Sequence, residues 1–376
     1  MLGLTLLLNS CIKDEPLNNE CDIISAWVEG DAYEPLFYQT SQMRIDNVPS
    51  DVTEIVFTVR STINLPLIPV NFTITPGATI TPASGSMQDF SNGPVTYTVT
   101  SQDGEWNRTY KVSFQEPDAP SYSFSFEYVD SIASEASGST YHVFYEIDQT
   151  TGERRNVWST GNAGVALIQN NWVPSQFPTH SIADGYSGKG VCLNTQHAGS
   201  LGAMMGKPIA AGSLFLGNFN LMAILINPLQ ATEFGTPVNK QPVRVTGWYK
   251  YRPGEVFTDA SMNEIPDRVD EANIYGVFYR NQDANGNSVI LDGSNILTSE
   301  YVVCKAQVAS LPPTDVWTRF EMTFEGGDAD PELLKELGYN FTLVFSSSKN
   351  GDTFEGAIGS TLYIDEVEVT YKTEEE

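Results

Sequence analysis

The chain has 376 residues, with 20 Lys and Arg against 47 Asp and Glu, a formal net charge of −27. That length predicts two or three domains. The acidic excess excludes nucleic-acid binding, which needs clustered cations to displace counterions, and it excludes docking on an anionic leaflet through a basic patch. Charged residues make up 18% of the chain, below the roughly 25% of ordinary soluble domains. Ser, Thr, Asn and Gly carry the polarity instead. The 19 Phe, 17 Tyr and 6 Trp can fill a large core, whereas three His and four Cys leave little for a zinc site. The composition is that of an extracytoplasmic β-protein.

Residues 2–8 are an apolar run too short to span a bilayer, so they read as part of a signal peptide over residues 1–10. Leu8-Asn9-Ser10-Cys11 resembles a bacterial lipobox, in which Cys11 becomes the lipidated first residue. A lipid there would be the membrane anchor. Residues 11–33 are expected to be a tether. Among Cys21, Cys192 and Cys304 at most one disulfide can form; Cys192 and Cys304 fall in strand-like runs and read as buried thiols, with their pairing as the alternative.

From residue 34 onward the signals are those of strands: short β-branched or aromatic runs bounded by Gly, Pro, Asn and Asp. Glu54–Arg60, Asn71–Thr75, Val95–Ser101 and Arg108–Phe114 fit an immunoglobulin-like β-sandwich over 34–116. Glu116-Pro117-Asp118-Ala119-Pro120 reads as a stiff linker, spanning 117–120. Residues 121–376 are too many for a small sandwich and suit a larger jelly roll. The predicted fold class is therefore all-β.

Within that second region, the strand at 243–252 is informative. Val243, Val245, Tyr249 and Tyr251 share one face by the period of two and are expected in the core. Trp248, Lys250 and the other alternates face outward. A Trp beside cations suits a sugar, with the ring against C–H faces and donors to hydroxyls. The alternative is a Trp half-buried under a loop, with Lys packed as a cation–π partner. Ile274–Arg280 could bring Tyr275 and Tyr279 to the same face. Asn281–Asp292 loosely resembles an EF-hand loop, but Asn285-Gly286 reads better as a hairpin turn. At 317–324, Thr318, Phe320, Met322 and Phe324 are the core side, leaving Arg319 and Glu321 outward. Glu321 is one candidate glycosidase carboxyl; Asp352 and Glu355, in a Gly-rich loop, are others. A solvated Arg–Glu rim is the plainer alternative. Asp330-Pro331 caps a helix to Leu337, with Gly338 as its stop. No P-loop, no Gly-x-Ser-x-Gly elbow and no His-Glu-x-x-His is present.

Three stretches carry a resemblance. Pro94–Gly104 with Arg108-Thr109-Tyr110 resembles the end of the Ig-like module of Bacteroidetes surface lipoproteins. Gly247-Trp248-Tyr249-Lys250-Tyr251 with Pro253-Gly254, and Ser346–Asp352 continuing through Phe354–Val367, resemble the family called the putative carbohydrate metabolism domain. This second resemblance covers roughly residues 120–372. The acidic run behind Cys11 resembles the surface-export signal of such lipoproteins. The resemblance implies a jelly roll on an outer-membrane, surface-exposed lipoprotein that handles a poly- or oligosaccharide, beside other surface glycan-uptake proteins. It supplies no established catalytic residue. Glu127 near the first strand and Asp365 in the last also resemble carbohydrate-binding jelly rolls, which hold one structural Ca²⁺ between two such acids. Val367 and Val369 are in phase with Asp365, so it is expected to point inward, where calcium, a buried Arg or backbone amides would be its partner. Glycan binding is the leading expectation, with a glycoside hydrolase and a structural or adhesive lipoprotein as alternatives.

Overall fold

The computed structural model describes residues 17–37, 40–59, 65–115, 123–148, 151–204, 206–225 and 227–372. The signal segment, Cys11 and the 117–120 linker lie outside the described residues. The main strands are β1 (Ile23–Val28), β2 (Glu54–Thr58), β3 (Ile68–Ile74), β4 (Val95–Thr100), β5 (Asn107–Gln115), β6 (Thr179–Ile182), β7 (Gly190–Asn194), β8 (Ser213–Phe219), β9 (Pro242–Arg252), β10 (Asn273–Arg280), β11 (Val302–Gln307), β12 (Thr314–Thr323), β13 (Tyr339–Ser346) and β14 (Thr361–Tyr371). The chain divides into two compact units: one runs to Pro35 and resumes over Gln42–Gln115, and the other holds Leu36–Ser41 and everything from Glu116.

The first unit is an immunoglobulin-like sandwich of two four-stranded sheets. One has the order Arg44–Ile45, β1, β3, Met87–Gln88; the other β2, β5, β4, Thr79–Thr81, with β2 and β5 parallel. Ala26, Val70, Phe57, Tyr97 and Val112 fill the space between them. β1 corrects the expected tether over 11–33. Ile23, Ala26 and Val28 are buried, the strand pairs along β3, and the Ile23 N–H donates to the Tyr110 hydroxyl of the other sheet at 3.1 Å.

The second unit is a jelly-roll sandwich. One sheet runs β6, β7, β14, β9, β12; the other runs Trp158–Ser159, β8, β13, β10, β11, Glu325–Gly326. Val245, Tyr249, Phe320 and Ile364 of the first meet Leu214, Ile274, Phe278 and Leu343 of the second. Burying such side chains stabilises each by about 1.5–3 kcal/mol against exposure. Cys192 and Cys304 are buried free thiols, one in each sheet. Asn281–Asp292 forms the expected turn. The Asp283 carboxylate accepts N–H bonds from Asn285 and Asn287 of its own loop, and Gly286 takes φ +81°. The short helix spans Pro331–Lys335 with Asp330 as its N-cap. It ends on Leu337 at φ +57°, not on Gly338.

Two bulges break the expected alternation. Across β9 and β14, Pro242 pairs with Tyr371 but Arg244 pairs with Thr370, so Val243 is extra and stands 37% exposed instead of in the core. Further along, Thr246 pairs with Glu368 and Trp248 with Asp365, which leaves one extra residue on β14. Glu366 sits there at φ +46°. Asp365 therefore lies opposite Trp248 on the outer side of the sheet, and the expectation that it points into the core is wrong. It is nonetheless fully buried, because a loop covers it.

The connection from β13 to β14 is built on one buried carboxylate. Asp270 Oδ2 accepts the Ser348 and Ser360 hydroxyls at 2.6 and 2.7 Å and the Ala357 N–H at 2.8 Å, while Oδ1 takes the Glu271 N–H at 2.9 Å. Thr195 adds hydroxyl contacts to Ser347 and Ser348 at 2.7 and 2.6 Å. Removing the acceptor strands two hydroxyls and an N–H in a dry site. Asp270→Ala is expected to lower unfolding free energy by about 3 kcal/mol, read as a shift of the urea midpoint at unchanged slope.

Candidate functional site

The outer face of the β9 sheet carries the residues singled out by alternation. The register sets Arg319, Trp248 and Asp365 in one row and Glu321, Thr246 and Glu368 in the next. Arg319 and Glu321 pair at 3.0 Å, both about half exposed. Trp248 is not a free platform. Tyr186, from the loop between β6 and β7, stacks on its ring at 4.0 Å and 9°. Trp317 meets Tyr186 edge-on at 6.4 Å, and the Lys250 ammonium sits 4.7 Å from the Trp317 centroid. The half-buried alternative describes Trp248, with the cation on a different tryptophan. A cleft of about 310 Å³ remains beside the stack, lined by Tyr186, Thr246, Arg319, Glu366 and Glu368.

Glu127 and Asp365 hold that loop in place. The Ser187 N–H donates to Asp365 Oδ2 at 2.9 Å and the Lys189 N–H to Glu127 Oε1 at 2.8 Å; the Lys189 ammonium donates to the Glu127 carbonyl at 2.8 Å. Gly188, at φ +62°, leaves room for the Glu127 carboxylate, since a Cβ there would lie 1.9 Å from Oε1. Among the described residues, no group of three or more His, Cys, Asp or Glu converges on a metal position. A lysine ammonium beside one acid and backbone donors on both do not fit the six to eight oxygens of calcium. Burial pushes the Asp365 carboxyl up to about 6, against the opposing pull of the Ser187 and Glu366 N–H groups. Glu366 is raised as well, by desolvation first and then by Glu127 and Glu368.

Tyr275 and Tyr279 do not join this face, because β10 belongs to the other sheet. Ile274 and Phe278 point into the inter-sheet core, and Tyr275, Val277 and Tyr279 point away from it. That outer side is covered by the segments 219–234 and 291–298, whose Phe234, Leu291 and Ile296 pack on Phe215 and Val344. Both sides of β10 are thus buried, which is why no alternation marks it. Tyr279 is spent structurally: its hydroxyl donates to the Phe234 carbonyl and accepts from Asn340 Nδ2.

Beside Tyr275 the covering segments leave a cavity of about 620 Å³, within the usual ligand-site range of about 300–1,000 Å³. Phe215, Phe219, Phe354 and Val344 line it together with Asn273 and Asp352. Tyr275 is 8% exposed, lines the cavity, and its hydroxyl makes no hydrogen bond among the described residues. Asp352 as a residue is exposed, yet its carboxyl is raised, chiefly by desolvation where it meets the protein and then by Glu355. Glu355 itself turns to Arg268 at 3.5 Å and Asn350 at 3.1 Å. Glu321 lies on the other sheet's outer face, away from both. Glu146, raised to about 7 by burial, is held by the Trp158 indole N–H at 3.0 Å and lines neither space. Sequence reasoning missed this cavity; the one available signal was that both sides of 273–280 are apolar.

Comparison with known proteins places these features in context. Residues 125–370 match the family model described as "Putative carbohydrate metabolism domain", and residues 38–113 match "SGBP, N-terminal". No curated protein matches the chain. A crystal structure titled a putative glycoside hydrolase, from Bacteroides thetaiotaomicron VPI-5482, is 35% identical, with a TM-score of 0.71 over 96% of this chain and 100% of that one. Another with the same title, from Bacteroides vulgatus ATCC 8482, is 37% identical, with a TM-score of 0.61 over 67% of this chain and 98% of that one.

The Asp365 shift sets a pH dependence. Its folded value of about 6 lies above the ordinary 3.8. Between those values the folded chain keeps a proton that the unfolded chain has released, so this group makes stability fall as pH rises through that window. Asp365→Asn should remove that part of the slope in denaturation midpoints taken from pH 4 to 7. A chelator should leave the melting temperature of both proteins unchanged.

Proposed function

Since the chain belongs to the family described as the putative carbohydrate metabolism domain, we propose that its second unit binds an oligosaccharide in the cavity beside Tyr275. The carbohydrate link rests on the family. The single observation that carries the site is the Tyr275 hydroxyl, which opens on the cavity and makes no hydrogen bond among the described residues. A hydroxyl held there by a buried ring can donate to or accept from a ligand hydroxyl, a bond worth about 0.5–1.5 kcal/mol net. Asp352 at the margin and the Asn273 amide add the few placed polar groups that such sites use. The match of residues 38–113 to the N-terminal module, together with the lipobox-like Cys11, supports placing the protein at the outer membrane surface by a lipid anchor.

Hydrolysis is the second reading. Two solved relatives described as putative glycoside hydrolases favour it, as does the raised Asp352 carboxyl beside Glu355. A glycosidase needs two carboxyls flanking the bond, about 5–5.5 Å or 6.5–9.5 Å apart. Among the described residues lining the cavity, Asp352 is the one carboxylate, so binding without turnover is the better account.

A glycan array should select a ligand, and calorimetry should then measure it. Tyr275→Phe is expected to keep the fold and to lose roughly 1 kcal/mol of affinity. Wild type should release no reducing ends. Turnover that falls at least about a hundredfold in Asp352→Asn would establish the hydrolase instead. Cys11→Ser should move the protein from the membrane to the soluble fraction of cells; a mutant that stays membrane-bound refutes the anchor.

A further inference from the structure

The floor of the cavity is polar at one end and apolar at the other, as its register explains, while Ser294, Asn295 and Thr298 of the covering segment also reach the lining. Ser346 of β13 lies opposite Ser213 of β8 and Asn273 of β10, which makes one polar row across three strands. Two residues along, about 7 Å away, Val344 lies between Phe215 and Tyr275. The polar row is continued beyond the strand end by Lys349 and Asp352 of the following loop, which also line the cavity. The apolar row is roofed by Phe234 and Ile296, with Phe219 and Leu297 further along the wall. The Tyr275 ring belongs to this row, and its hydroxyl comes close enough to Asp352 to feel that carboxylate's charge.

A bare oligosaccharide matches only half of this space. Sugars carry a hydroxyl on most carbons, and each one set against Phe215, Val344 or Ile296 would lose its water without gaining a partner. An aryl or alkyl group has no such cost, and it gains by leaving water. We propose that the cavity takes a glycan bearing an apolar substituent, aryl or alkyl, on one sugar. The hydroxyls of that sugar meet the Ser346–Asn273 row, Asp352 and the Tyr275 hydroxyl, and the substituent lies on Phe215 and Val344 beneath Ile296. This inference rests on the glycan-binding reading and names the chemical class of its ligand.

The test compares methyl, phenyl and octyl β-glycosides of glucose, galactose, mannose and xylose by calorimetry on the full chain, with 1-octanol as the sugar-free arm. Within the sugar series that binds, the phenyl or octyl member should bind at least about tenfold more tightly than the methyl one. Leu297→Asp should erase that increment and spare the methyl glycoside. It stands 39% exposed, so the change should not unfold the protein. Ile296→Asp is the stronger variant where circular dichroism shows it folded. Tyr275→Phe should weaken both members alike. Equal affinity of methyl and substituted glycosides would overturn this inference and leave the glycan reading intact. Octanol binding as tightly as octyl glycoside, indifferent to Tyr275→Phe, would overturn both. Failure of every substituted glycoside to bind would also overturn the inference, and the array result would then decide the glycan reading by itself.

Discussion

The second unit depends on the carboxylate of Asp270. It sits just before β10 and gathers, on one oxygen, two serine hydroxyls and an N–H from the long connection between β13 and β14. Those two strands are neighbours in sequence but belong to different sheets. The knot therefore ties the sheets together where the chain passes between them. It also fixes the loop that carries Asp352 to the edge of the cavity. Ser346, Ser347 and Ser348 are a sequence hallmark of the chain, and their hydroxyls are used in this framework, bonding to the Ser348 carbonyl, to Thr195 and to Asp270. The conspicuous motif is scaffolding first, and its Ser346 and Ser348 also reach the lining of the cavity.

The two outer faces of the sandwich are treated differently. On the β9 sheet a short loop is laid down and pinned by Asp365 and Glu127, which presses Tyr186 onto Trp248. A cleft beside the stack and the half-exposed Arg319–Glu321 pair remain open. On the β10 sheet longer segments arch over the face and close against it only in part, leaving the cavity between them. Glu127 and Asp365, which could have held a cation, act through accepted N–H bonds. The raised carboxyl of Asp365 is the energetic cost of covering that face.

Much of the fold could be read directly from the chain. Thr361–Tyr371 occupies the range expected from its alternation, and β9 and β10 begin only one residue earlier than expected. Phe320 and Met322 are core as their period requires. What failed was parity across a bulge. Counting by twos from Val367 put Asp365 inside, and counting from Val245 put Val243 inside; one extra residue in each place reverses the answer. Tyr275 and Tyr279 failed for another reason. Their strand is apolar on both sides because other segments cover it, and no local period records what folds over a strand from elsewhere in the chain. Pairing partners are equally invisible, so the assignment of β10 to the other sheet could not have been made from the alternation of 273–280.

On either side of Glu366, β14 keeps register with β9 as though that residue were absent: Asp365 faces Trp248, and two pairs on, Glu368 faces Thr246. Deleting Glu366 would heal the ladder and leave Val367 and Val369 in the core, whereas substituting it would leave the bulge in place. The acidic side of this strand is in that sense an insertion added to a finished strand. Loss of one residue at this point, which in most strands would turn every later side chain to the wrong face, would here subtract one carboxylate and spare the valines that hold the sheets together.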